Sequence, residues 1–142
     1  FNKREREHLL DVKNVIRGFE VSLIFALAAF LFIMGCLYRF FKKDLVRVVK
    51  NMMIYSGLCV FFAVFLLFLM YLVFPAAFDV FHSLFFAEGS WIFNRDDLLI
   101  MMFPAGFFMD YLANIMLDSL AVSGMLIFGG FLLPTQDKSK RR

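Results

Sequence analysis

The stretch FPAAFDVFHSLFFAEGSWIFNRDDLLIMMFPAGFF, residues Phe74–Phe108, decides how the rest of the chain is organised. It contains one of the two histidines and the single tryptophan, and it lies between two long apolar segments. It carries too many charges to cross a bilayer core, yet it has more aromatic rings than a solvated loop needs. Such rings favour the membrane–water boundary. We therefore predict an interfacial, re-entrant helical segment over 75–109 that forms one wall of an active site.

The composition indicates a membrane protein. The chain has 142 residues, of which 62% are hydrophobic, whereas soluble domains are about 45–50% apolar. An uncharged run of about 20 residues is long enough to span a bilayer as a helix. The predicted fold is an all-α, polytopic helical membrane protein that forms a single domain. Its predicted segments are an amphipathic helix over 1–20, transmembrane helices over 21–38, 52–74 and 110–133, a cytoplasmic loop over 39–51 and a cytoplasmic tail over 134–142.

The distribution of charge predicts the orientation. The loop 39–51 has five basic residues and one acid, and the tail 135–142 has four basic residues and one acid. The region 75–118 has one basic residue and six acids. Basic loops stay in the cytoplasm, so we predict that His8 and His82 both lie on the extracytoplasmic side of the membrane.

His82 is the strongest candidate for chemistry. Asp79 precedes it by three positions, so the two side chains share a face of a helix, and we expect the carboxylate to hydrogen-bond the ring. Histidine is the side chain best suited to accept a proton near neutral pH. The structural alternative is an interfacial histidine whose polar end simply reaches water.

His8 repeats this arrangement, with Asp11 three positions after it. The structural alternative is one more polar residue on a charged helix. A zinc site is disfavoured because the sequence lacks the short spacings that zinc ligands usually show. A serine triad is disfavoured because Ser83 adjoins His82 and therefore points about 100° away from it on a helix. We expect no metal and no cofactor.

Two further candidates lie in the interfacial segment. Arg95 is its single basic residue, and it can pair with the neighbouring acids or hold a lipid phosphate or a substrate carbonyl. Trp91 is typical of an anchor at the membrane interface.

Asp110 and Asn114 lie four positions apart in the third apolar run and form a polar stripe with Asp118. Ionisable residues inside a membrane segment are functional candidates. The alternative is pairing with Arg95 or Arg17.

Two sequence elements together resemble a known family. REREHLLDVKNV, from Arg4, is similar to an E-x-x-H-L-x-D-V element. FDVFHSLFFAEGSWIFNRDDLLIMMFPAGFF, from Phe78, is similar to an F-x-x-F-H-x-L-F-F…W-x-F/L…D-L-I-x-x-F-P-x-x-F-F element. In both elements the chain resembles the bacterial lipoprotein intramolecular transacylase (Lit) family of integral membrane proteins. The resemblance extends from Arg4 to about Leu133.

The resemblance implies a reaction and a location. Its substrate is a lipoprotein whose N-terminal cysteine carries an S-linked diacylglyceryl group, and the sn-2 acyl chain moves to the α-amine to give the lyso-form. The resemblance assigns catalysis to His8 and His82 in a multi-pass protein of the bacterial cell membrane. It also implies an N-terminal transmembrane helix ahead of the first histidine element, and we expect that helix to be missing from this chain.

Two other functions fit the same residues. One is an extracytoplasmic-facing membrane hydrolase that acts on lipid or peptide with the same histidine pair. The other is a non-catalytic membrane scaffold whose histidines respond to pH. We expect membrane lipid and the lipoprotein as partners and no nucleic acid, and the sequence does not specify an oligomeric state.

Overall fold

The computed structural model describes residues 1–41 and 44–134, and this part of the chain is helical without strands. Five helices follow one another along the chain: α1 over Lys3–Phe41, α2 over Leu45–Leu72, α3 over Phe74–Phe85, α4 over Leu98–Met102 and α5 over Ala105–Leu132. Three of them, α1, α2 and α5, are long and apolar enough to cross a membrane. The predicted fold class, all-helical with three spans, is therefore confirmed.

Helix α1 joins two segments that the change in composition predicts to be separate. The charged residues 1–20 and the uncharged residues 21–38 lie in one uninterrupted helix. The change of composition at residue 20 brings no proline, and proline is what would interrupt the hydrogen-bond ladder.

The predicted loop over 39–51 is shorter than expected. Helix α1 continues to Phe41 and α2 begins at Leu45, so most of this basic segment is helical. Its charges suggested a solvated connection, but lysine and arginine are good helix formers. Residues 42 and 43, and the tail from 135 onward, lie outside the described residues.

Apolar side chains cover the long helices. Phe25 and Phe32 of α1 are 71% and 73% exposed, and Phe128 of α5 is 67% exposed. Hydrocarbon solvates such surfaces without cost, whereas water would not. These helices are consistent with a location in a membrane.

The chain divides into two compact units. One unit combines residues 29–68 with the chain from 114 onward. In it, α2 and α5 approach closely because small residues face each other. The buried Ser123 hydroxyl donates a hydrogen bond of 2.8 Å to the Gly57 carbonyl. Lys50 Nζ donates to the carbonyl of Leu133, just beyond the end of α5, at 3.3 Å.

The other unit combines residues 1–28 with residues 69–113, and it contains both histidines. Pro75 lies in the first turn of α3, where its missing N–H costs nothing. After α3 the chain turns at Gly89, whose φ of 73° is a conformation that glycine adopts readily. Helix α4 follows this turn and contributes the buried Leu99.

Candidate active site

His82 lies in the last turn of α3 and is almost completely buried, with 9% of its surface exposed. Its Nδ1–H donates a hydrogen bond of 2.8 Å to the carbonyl oxygen of Phe78, four residues earlier. A carbonyl can only accept, so this contact requires the proton on Nδ1 of the neutral ring. The lone pair is then on Nε2, which is the atom available to accept a proton.

Aromatic rings surround His82. Its ring centroid lies 3.9 Å from that of Phe78, 5.4 Å from that of Phe86 and 6.0 Å from that of Trp91. Phe81 contacts it edge-on at 5.5 Å. These rings displace water from the sides of the imidazole, which strengthens polar interactions within the site.

His8 lies on α1 and packs against the same cluster. It is 6% exposed, and its ring centroid lies 6.1 Å from that of His82, with the rings 22° from parallel. Phe86 contacts both histidines, at 4.9 Å from His8, and Phe93 lies 5.5 Å from His8. Two residues that are 74 positions apart in the sequence therefore converge in one pocket, as the active-site hypothesis requires.

Nδ1 of His8 is buried and has no hydrogen-bond partner among the described residues. Leaving a buried polar atom without a partner costs about 1–3 kcal/mol. In a site that binds a polar ligand, the ligand supplies the hydrogen-bond partner that such an atom lacks.

Burial changes the protonation of both rings, which lie outside the uncharged segment 21–38. Burial lowers the pKa of His82 below 6.5, against smaller raising effects of the Phe78 carbonyl and the Asp79 charge. Burial also lowers the pKa of His8, and the nearby His82 lowers it further, while Asp11 raises it. Both imidazoles are therefore neutral at pH 7.

The carboxylates that accompany the histidines act differently from the prediction. Asp79 does not accept a hydrogen bond from His82, because the ring bonds to its own helix at Phe78. Asp79 and Asp11 are both exposed, and each acts on the neighbouring ring through its charge alone. Spacing by three positions placed each pair on one helical face, but the carboxylates are exposed to solvent whereas the histidine rings are buried in the pocket.

Three residues near the start of α1 attach it to the segment after α3. Arg4 donates hydrogen bonds to the carbonyls of Gly89 at 3.2 Å and Ile92 at 3.0 Å, and its guanidinium lies over the Phe93 ring. Asn2 Nδ2 donates to Asp97 Oδ1 at 3.1 Å. Glu5, which the sequence reasoning did not single out, is buried in the same contact. Its place in the E-x-x-H element was the one available signal.

The remaining predicted site residues are dispersed. Trp91 packs against His82 as described. Arg95 is exposed and makes no hydrogen bond or ion pair with the described residues. Asp110 is likewise exposed without such a partner, and Asn114 belongs to the other unit of the chain.

A half-open cavity of about 420 Å³ adjoins the histidine pocket. Phe86 and Trp91, which contact His82, also line this cavity. Its other lining residues are Ser83, Glu88, Gly89 and Ile92. The pocket therefore has adjoining space with both polar and apolar walls. Within residues 1–41 and 44–134, no three histidine, cysteine or acidic residues cluster as metal ligands would.

Comparison with known proteins confirms the resemblance predicted from the two histidine elements. The model of the family described as "Lipoprotein intramolecular transacylase Lit" matches residues 1–108, which include both histidines. A protein of Aquifex aeolicus (strain VF5), described as "Uncharacterized protein", is 31% identical over 136 residues. That match covers 93% of this chain and 57% of the relative, so the chain spans little more than half of the relative's length. No solved structure matches the chain.

Proposed function

Because the chain belongs to the lipoprotein intramolecular transacylase Lit family, we propose that it transfers an acyl chain within a bacterial lipoprotein. The substrate is an N-terminal cysteine that carries an S-diacylglyceryl group and a free α-amine. The sn-2 acyl chain moves to that amine, and the product is the lyso-form lipoprotein. The site faces the extracytoplasmic side of the membrane, where the charge distribution predicts both histidine elements.

The observation that carries this proposal is the state of His82. Its Nδ1–H is committed to the Phe78 carbonyl, and its Nε2 keeps a lone pair within an aromatic pocket. Burial holds its pKa below 6.5, so the ring is in its basic form at neutral pH. A neutral imidazole with one free nitrogen is what a general base requires.

The first step is loss of a proton from the substrate amine. An α-amine has a pKa of about 8 and is mostly protonated at pH 7, so it must first lose a proton to become nucleophilic. The amine nitrogen then attacks the carbonyl carbon of the sn-2 ester, and Nε2 of His82 takes the second N–H proton as the C–N bond forms.

The second step releases the glyceryl oxygen. The bond between the acyl carbon and the sn-2 oxygen breaks, and the imidazolium of His82 returns its proton to that oxygen. The products are an amide at the α-amine and a free hydroxyl on the glycerol. Only the proton of the original ammonium leaves for the solvent, so the reaction needs no external acyl donor.

His8 serves as a neutral orienting group. Its pKa is lowered by burial and by the nearness of His82, because two imidazolium charges with ring centroids 6.1 Å apart would repel each other. When His82 takes up a proton, His8 therefore stays neutral. It then contributes one N–H donor and one lone pair, with which it holds the ester or the amine against Nε2 of His82.

The aromatic walls supply the rest of the catalytic effect. Donor and acceptor belong to one molecule, so the protein has to orient them and exclude water that would hydrolyse the ester. Phe78, Phe86 and Trp91 provide a dry surface, and the adjoining cavity provides room for the substrate beside it.

The test is to identify the product made by the purified chain in lipid vesicles from a synthetic S-diacylglyceryl cysteine peptide. The proposal predicts a peptide of unchanged mass whose acyl chain has moved from oxygen to nitrogen. A matched peptide with an acetylated α-amine should remain unchanged. Release of free fatty acid from both peptides would identify a hydrolase and refute the transfer.

A further inference from the structure

Glu5 is a charged residue that the proposed reaction does not use, and its burial is unusual. Only 2% of its surface is exposed. Its Oε1 accepts a hydrogen bond of 2.8 Å from the backbone N–H of Leu99, and its Oε2 accepts one from the backbone N–H of Asn2. Neither ion pair within the described residues involves it. Both of its donors are thus neutral backbone groups.

The start of helix α4 explains why Leu99 needs this carboxylate. The residue before the helix is Asp97, a type that normally caps a helix with its own side chain. Here that side chain is engaged elsewhere: it accepts from the backbone N–H of Asn94 at 2.7 Å and from the side chain of Asn2 at 3.1 Å. The amide of Leu99, in the first turn, is left for Glu5 of α1.

Glu5 and His8 are three positions apart on α1 and therefore lie on the same face of the helix. Fixing the Glu5 carboxylate to Leu99 sets the rotation of α1 about its axis, and that rotation directs His8 towards His82. The hydrogen bonds of Arg4 to Gly89 and Ile92 reinforce the attachment from the adjacent position.

We propose that Glu5 is a positioning residue: its carboxylate, bound to the backbone of Leu99 and Asn2, holds His8 in the register that the acyl transfer requires. This inference rests on the proposed function. A displacement of about 1 Å at a catalytic centre can reduce the rate about 100-fold. Loss of the Glu5 contacts therefore reduces kcat strongly, whereas KM stays nearly constant, because Glu5 does not line the cavity assigned to the substrate.

The test uses the Glu5→Gln variant of the full chain, which preserves the shape of the side chain but turns an N–H group towards a backbone donor. Glu7→Gln is the matched control, because Glu7 is an exposed residue of the same helix whose ion pair joins it to Lys3. We expect a loss of kcat of about 100-fold for Glu5→Gln, at nearly constant KM, and no loss for the control.

A double-mutant cycle separates positioning from general support of the fold. In the His8→Ala background, Glu5→Gln should cost less than about twofold, because the group that it positions is already absent. An equal loss in both backgrounds would overturn the proposal.

A readout that needs no turnover completes the test. Acylation of imidazoles by diethyl pyrocarbonate, measured by mass spectrometry, should become faster at His8 in Glu5→Gln and stay slow at His82. Unchanged reactivity at His8 would contradict the positioning role, and so would a parallel increase at both histidines. If the wild-type chain makes no N-acyl product, the proposed function fails while the positioning of His8 is still measured.

Discussion

Replacing Gly57 by alanine tests the packing of α2 against α5. A Cβ atom at this position would lie 2.6 Å from Cγ1 of Ile127 and 3.0 Å from the carbonyl oxygen of Ser123. The isoleucine side chain has some freedom to move, but the backbone oxygen does not. The two helices must therefore separate by several tenths of an ångström.

The expected effect combines three terms. Overpacking of this kind costs about 1–3 kcal/mol, and weakening the hydrogen bond from Ser123 to Gly57 costs about 0.5–1.5 kcal/mol more. Alanine recovers up to about 1 kcal/mol through its better helix propensity. We expect a net loss of about 0.5–4.5 kcal/mol of stability.

Gly124→Ala is the matched control, because nothing lies within 4 Å of a Cβ at that position of α5. The assay is unfolding of the purified chain in mixed micelles of increasing dodecyl sulfate content, followed by circular dichroism. Gly57→Ala should unfold at a lower dodecyl sulfate fraction than wild type, and Gly124→Ala at the same or a higher one. Equal behaviour of the two variants would refute the close packing.

The other predictions concern the site. Transfer should decrease below about pH 8 as the substrate amine becomes protonated, and more steeply below pH 6.5, because burial lowers the pKa of the base His82. In a pH–rate profile, Asp79→Asn should move the lower of these two limbs to lower pH, since the lost negative charge no longer stabilises the imidazolium. A limb that moves to higher pH would contradict the assignment. Ser83→Trp should fill the cavity beside His82 and raise KM in steady-state kinetics, whereas Ser22→Trp, at an exposed position of α1, should not; equal KM values would exclude the cavity from substrate binding. Arg4→Met should release the turn at Gly89 and make it more susceptible to cleavage by subtilisin, a protease that does not depend on the arginine removed. An unchanged cleavage rate would argue against the attachment.

The sequence indicated much of the fold because membrane helices leave a strong compositional signal. The apolar runs that begin at Val21, Met52 and Ala105 each lie largely within a helix long enough to span a bilayer. What composition did not indicate was continuity: helix α1 passes through the boundary at Glu20 because charged residues propagate a helix as well as apolar ones.

The sequence identified the two histidines of the candidate site as candidates, but not the contacts that support them. Charge asymmetry predicted that His8 and His82 lie on one side of the membrane, and the fold brings the two rings to 6.1 Å from each other. The hydrogen-bond acceptor for the His82 ring was predicted to be the Asp79 carboxylate, but it is the Phe78 carbonyl. Both lie about one turn before His82, so helical spacing alone does not distinguish them. Glu5 was overlooked because a glutamate among other charges is normally solvated, and only the fold buries it.

The residues of the third apolar run illustrate the same limit. Asp110 and Asn114 were candidates because polar groups inside a membrane span are costly. Both are exposed, and Asn114 belongs to the other unit of the chain. Periodicity predicted their shared stripe, whereas the direction of that stripe depends on tertiary packing.

The most direct test of the catalytic assignment is the N-terminal structure of lipoproteins in bacteria that lack their own N-acylating enzymes and express this chain. Wild type and the control Ser22→Ala, changed at an exposed serine of α1, should both convert diacylglyceryl lipoproteins into the N-acyl lyso-form, as read by mass spectrometry of the N-terminal peptide. With His82→Ala, matched for protein level in the membrane, the lyso-form should fall by a factor of about 100 or more, as expected for loss of a general base. Undiminished lyso-form in the His82→Ala strain would contradict the assignment of His82 as the base.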